Sequence, residues 1–214
     1  MAVEEVLEEI IQHAQRNLSV AGFKRSKQYF FRQLGEATHR VAFSFRKVRG
    51  EEGGWLAVTV CVGFTSLADF LHDFPEVNIE RKRPCMMATD LGHLVPPHNY
   101  HEWRLDSQPN AAVRDEILDV LNAHGLRYFE TYGELRKAVA AWEAGTTYNA
   151  GYFAQLYACA YHYQHGEREK ALTAVKKIIA ECDAEFRTTG QRAALNQKRI
   201  FEDFLAFSEA KVSE

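Results

Sequence analysis

The chain of 214 residues has no apolar run near the ~18 residues that a membrane-spanning helix needs, so no membrane partner is expected. Its five prolines and 13 glycines form no periodic or low-complexity stretch, which excludes collagen-like and disordered classes. Net charge is only −3, too small for a whole-chain field that draws in nucleic acid. Cysteine is scarce. Cys61, Cys85, Cys159 and Cys182 are scattered without a CxxC pair, and are expected as reduced thiols in the cytosol. The opening MAVEEVLEEI carries acids where a secretory leader needs bases, so a cytoplasmic protein is expected. No GxSxG elbow, Ser-x-x-Lys set or Cys-Gly-x-Cys segment is present, so no catalytic nucleophile is assigned. Gly50 to Gly54 precedes a strand and holds two acids, which fails the phosphate-cradle patterns. No motif calls for a cofactor.

What is present is a well-supplied core: 46% hydrophobic residues, 12% aromatics and 26% charged. A chain of this length buries roughly 70% of its unfolded surface. Val3, Val6, Leu7, Ile10, Ala14 and Leu18 recur at helical spacing, predicting a helix over 3–18. His39, Val41, Phe43 and Phe45 alternate with Arg40, Ala42, Ser44 and Arg46, which predicts a strand. Leu56 to Phe64 is apolar on both faces and belongs centrally. With the aromatic-basic stretch before Leu34, these make an antiparallel meander, because the connections are too short for parallel crossovers. A short helix over 66–73 follows. Residues 85–94 and 101–105 are read as further strands. Residues 111–124 form a helix stopped by Gly125, and Thr131 with Glu134 has capping-box spacing before another helix. Beyond Gly145 the pattern is all helical. The fold class is therefore α+β: an antiparallel sheet of about four or five strands with helices on one face, then a C-terminal helical extension. The domain ranges are 1–145 and 146–214.

Gly22-Phe23-Lys24, the strand Tyr29-Phe30-Phe31-Arg32, Asp90-Leu91-Gly92-His93-Leu94 and Glu102-Trp103 occur in an order that resembles a bacterial family, domain of unknown function 4304. The likeness covers about residues 5–142. It has Asp90 where the family would place Arg, and a single Trp103 where paired Trp is common. It implies a fold and a bacterial origin more than a function. The later hairpin also resembles one tetratricopeptide unit at Tyr163, Gly166 and Ala171. However, Gln155, Ala158 and Cys159 replace its Trp-x2-Leu-Gly portion, and a solenoid needs about three repeats.

Three groups of residues are candidates for function. Residues 22–50 carry eight basic residues against Glu36 alone, interleaved with Tyr29, Phe30 and Phe31. Arg32, Arg40 and Arg46 with Tyr29 fit an acidic protein partner, through bidentate contacts to carboxylates. Nucleic acid is the alternative, through phosphate contacts and stacking, and a solvated sheet face needs neither. Tyr152 and Tyr161 belong to a tyrosine-rich helix that suits either an interface or internal packing. His93, His98 and His101 are the only candidates for a metal, and their spacing matches no zinc signature. The expected function is a non-enzymatic protein-interaction module, with immunity-type neutralisation of a toxin as a special case. A metal- or ligand-dependent enzyme using the histidine loop is the alternative.

Overall fold

Helix α1 spans Val3–Val20 and buries Val3, Val6, Ile10, Ile11, Ala14 and Leu18, the stripe its spacing predicts. Glu5 accepts the Ala2 N–H at 3.0 Å and satisfies one of the donors a helix start leaves open. Gly22, at φ +84°, turns the chain into the sheet. The structure is a computed structural model and describes residues 2–98, 100–108, 111–147 and 151–212.

The sheet holds β1 (Lys24–Ser26), β2 (Tyr29–Leu34), β3 (Ala37–Lys47), β4 (Gly54–Phe64), β5 (Met87–Asp90) and β6 (Trp103–Leu105). The order is β1-β2-β3-β4-β5, β6 also pairs with β4, and every pairing is antiparallel. With the helices this is an α+β fold. One face presents Phe30, Val41, Phe43, Val58, Val60 and Val62, all buried. Helix α1 touches β1 and β6, and the helix after β6 touches β4.

That later helix departs from expectation. Gly125 does not stop it. α3 (Ala111–Val120) runs through a π-helical turn, Leu121–Gly125, into α4 (Leu126–Tyr132). A Cβ on Gly125 would lie 2.8 Å from Leu121 Cδ1 and 3.2 Å from Leu91 Cδ1, so the glycine permits close packing. Thr131 is not an N-cap: it sits in the last turn of α4, and its hydroxyl donates to the Arg127 carbonyl. The strand expected over 85–94 is Met87–Asp90 alone, followed by a 3-10 turn, Leu91–Leu94.

The cysteines need a second correction. Cys61 and Cys85 form a disulfide with Cα atoms 5.7 Å apart, while Cys159 and Cys182 are free and buried. The antiparallel pairing of β5 with β4 sets Ala88 opposite Cys61. The chain entering β5 therefore passes over Cys61, a proximity that sequence spacing does not reveal.

Contacts gather the chain into two units, Met1–Phe64 with Arg83–Lys137, and Thr65–Lys82 with Ala138–Glu214. The second has helices as its only regular elements and takes in residues 65–82, which lie within the 1–145 range. It comprises α2 (Thr65–Leu71), most of α5 (Leu135–Ala144), α6 (Gly151–Gln164), α7 (Arg168–Thr189) and α8 (Arg192–Val212). Gly190, at φ +68°, ends α7 with its N–H on the Phe186 carbonyl. Phe74 packs against Phe204 and Phe207 at 5.9 and 5.2 Å between ring centroids. Among the described residues no helix is long and apolar enough to cross a membrane.

Candidate functional site: the half-open face of the sheet

Strand alternation divides the basic hairpin between two faces. Tyr29, Ala42, Thr59 and Asp90 stand in one row across the sheet, and Phe31, Arg40, Cys61 and Ala88 in the next. Ser44 pairs with Ala57, and Arg46 with Trp55. Tyr29, Phe31, Arg40, Trp55, Ala57 and Thr59 are half-buried, and Ser44 and Arg46 are exposed. The small side chains Ala42, Ser44, Ala57 and Thr59 make a low floor, with Tyr29 and Trp55 standing beside it.

The charges on this face fall into two kinds. Arg46 donates to Glu102 at 3.1 Å, and Arg104 pairs with Glu51. Glu102 also accepts from Tyr100, and that bond raises the tyrosine's pKa. Thr59 donates to Asp90 at 2.8 Å. Arg40 is different. It is half-buried, its Nε is fully buried without a hydrogen-bond partner, and among the described residues no carboxylate pairs with it. Arg83 lies over the Phe31 ring, 4.1 Å from guanidinium to centroid, likewise without an acidic partner among the described residues. Lys24 faces Phe31 across β1 and β2. Three cations thus surround one aromatic ring with no counter-charge among the described residues.

Arg32 does not join them. It stands opposite His39 on the packed face, where its Nε and Nη2 donate to His39 Nδ1 at 3.2 and 2.9 Å and its Nη1 donates to the Ala21 carbonyl at 2.9 Å. Its guanidinium sits over Phe23 at 4.7 Å. Burial lowers its pKa, with Glu130 opposing that effect. A guanidinium only donates, so the neutral His39 ring carries its hydrogen on Nε2, which is buried without a partner. Arg32 is therefore a structural residue and not a docking anchor.

Tyr161 is 8% exposed, stacks on His165 at 4.1 Å between centroids, and belongs to the packing of the helical unit. The side chain of Tyr152 lies outside the described residues. Near Tyr161, the ring of His162 has Glu167 and Glu143 oxygens at 2.7 and 2.8 Å from its two nitrogens, and Lys170 joins Glu143 at 2.9 Å. Cys159 lines the adjoining cavity of about 160 Å³, but burial and Glu143 push its thiol up to about 12, so it is no nucleophile.

The three histidines of the loop each make separate contacts. His98 Nδ1 lies 3.1 Å from the His93 carbonyl, His93 packs on Tyr100, and His101 lies 3.6 Å from Glu116 and edge-on to Trp103. Among the described residues no three His, Cys, Asp or Glu groups are placed to hold a metal. A cavity of about 230 Å³, walled by Val95, Pro96, Pro97 and Trp103, lies beside His101 and Glu116. Both of those side chains are more than half exposed, so water screens the pair.

No family model, curated protein or solved structure matches the chain. The reading of the site therefore rests on its geometry. Sequence reasoning named Tyr29, Arg40 and Arg46 but missed Arg83 and the small-residue floor. The signal for the floor was present in the small residues alternating through β3 and β4.

Proposed function

We propose that the protein is a non-enzymatic interaction module of the bacterial cytosol that docks an acidic partner protein on the half-open face of its sheet. Arg40 carries this reading. Partly desolvating a cation without a counter-charge costs free energy, which an incoming carboxylate offsets through short, charge-assisted hydrogen bonds. Arg83 and Lys24 add charge beside Phe31, and the small floor leaves room for an extended segment. The resemblance of the motif order to domain of unknown function 4304 is compatible with such a role. Neutralising a toxin by occluding an acidic surface is the special case that fits it.

The test is a fluorescence-anisotropy titration with labelled deca-glutamate at low salt. The wild-type protein binds it, and affinity falls as salt rises. Arg40→Gln weakens binding at least about tenfold, as expected when one charged partner is removed from a desolvated pair. Lys177→Gln, at a 76%-exposed residue of the helical unit, leaves it unchanged. Equal binding by Arg40→Gln and wild type would refute the assignment.

A further inference from the structure

The cationic site has one wall that the sheet does not supply. Residues 83–86 form a strap across it. Arg83 lies over Phe31, the Pro84 carbonyl accepts from the buried Thr38 hydroxyl at 3.0 Å, and Met86 N–H donates to the Val62 carbonyl at 2.9 Å. Gly63 admits the strap, because a Cβ there would overlap the Pro84 carbonyl. One covalent link fastens the strap to the floor: the Cys61–Cys85 disulfide. Cys61 is Arg40's direct cross-strand neighbour. The bond that holds the strap is thus one residue position from the unpaired guanidinium.

From this we infer that the Cys61–Cys85 disulfide gates the cationic docking site: the oxidised protein binds, and reduction releases the strap and dismantles the site. The inference rests on the docking function proposed above. Its chemistry is thiol–disulfide exchange with a dithiol reductant. A reductant thiolate attacks Cys85 Sγ, the half-buried sulfur of the pair, since Cys61 is only 1% exposed. The S–S bond breaks, Cys61 leaves as a thiolate and takes up a proton, and a mixed disulfide joins Cys85 to the reductant. The second reductant thiol resolves it, leaving two protein thiols and one oxidised dithiol. The Thr38 hydroxyl on the Pro84 carbonyl and one backbone hydrogen bond then hold the strap, and Arg83 no longer has a fixed position over Phe31. In a reducing compartment a disulfide of this kind acts as a sensor and not as a permanent staple.

The experiment compares the full chain oxidised, reduced with dithiothreitol, and as Cys85→Ser, by two readouts. The first is labelled deca-glutamate binding. The second is trypsin cleavage after Arg81 and Lys82 together with amide exchange at Met86, which report the strap without any ligand. Reduction is expected to weaken binding about tenfold or more, and to speed both cleavage and exchange while the melting transition stays cooperative. Cys85→Ser should match the reduced protein. Equal affinity in the two redox states, with Arg40→Gln still defective, would overturn the gating and leave the docking function standing. Unchanged cleavage and exchange on reduction would overturn it as well. Binding by neither form would remove the docking function and the gate with it.

Discussion

Acid should destabilise this protein first through His39, ahead of the carboxylates of Glu8, Asp73, Asp115 and Glu143 that their partners hold below the ordinary range. His39 is 2% exposed, stacks on Phe129 at 4.7 Å between centroids, and offers its Nδ1 lone pair to Arg32. Burial first, and then the Arg32 charge, push its pKa down from the ordinary 6.5 to about 4. Protonation would place a hydrogen on Nδ1 facing a guanidinium. The unfolded chain titrates at the ordinary value, so between pH 6.5 and 4 it binds a proton that the folded protein refuses. Stability from this residue is complete above pH 6.5 and falls as pH drops toward 4. A displacement of about 2.5 pH units at about 1.4 kcal/mol each makes the loss about 3 kcal/mol. Urea denaturation from pH 7 to pH 4 measures it, and His39→Asn isolates it. The variant should begin less stable, because Arg32 loses its ring partner, and its stability should fall about 3 kcal/mol less across the same interval. Direct titration of the His39 ring by NMR gives the same quantity independently. A midpoint above pH 6, or parallel slopes for wild type and variant, would refute the reasoning.

Other expectations follow from the packing. Arg32→Gln should lower stability by about 2 kcal/mol, since it empties bonds to His39 and Ala21, while Arg40→Gln should leave the melting temperature unchanged or higher; calorimetry of both separates the structural arginine from the functional one. Gly125→Ala sets helix propensity, a gain of about 1 kcal/mol, against overpacking that costs about 1–3 kcal/mol, and a net loss in urea denaturation is expected. Phe204→Ala, fully buried against Phe74, should cost about 3–5 kcal/mol by the same assay. Iodoacetamide at pH 8 should leave Cys159 unmodified in the native protein by mass spectrometry, because a thiol at about 12 has only about one part in ten thousand as thiolate.

Local periodicity carried much of the fold. The stripe in α1 and the alternation in β3 are short-range patterns that hydrophobic burial enforces. The site was only partly legible, because its assembly is set by register and long-range contact. Tyr29-Phe30-Phe31-Arg32 has no clean alternation, so nothing local says which face takes Arg32; the pairing of Arg32 with His39 decides it. Gly125 reads as a helix stop because part of its crowding comes from residues distant in sequence, Leu91 among them, 34 positions away. Cys61 and Cys85 are 24 residues apart and meet through strand pairing, not through a spacing motif. Tyr161 is interface-like by residue type, yet its ring contacts lie within the helical unit.

The most direct measurement is an NMR titration of the ¹⁵N-labelled, oxidised protein with deca-glutamate. Shifts centred on Arg40, Ala42, Ala57 and Thr59, together with the Arg83 strap, are expected, with the amides of α6 to α8 unmoved. Shifts confined to the loop of His93, His98 and His101 or to the helical unit, or none at all, would contradict docking on the sheet.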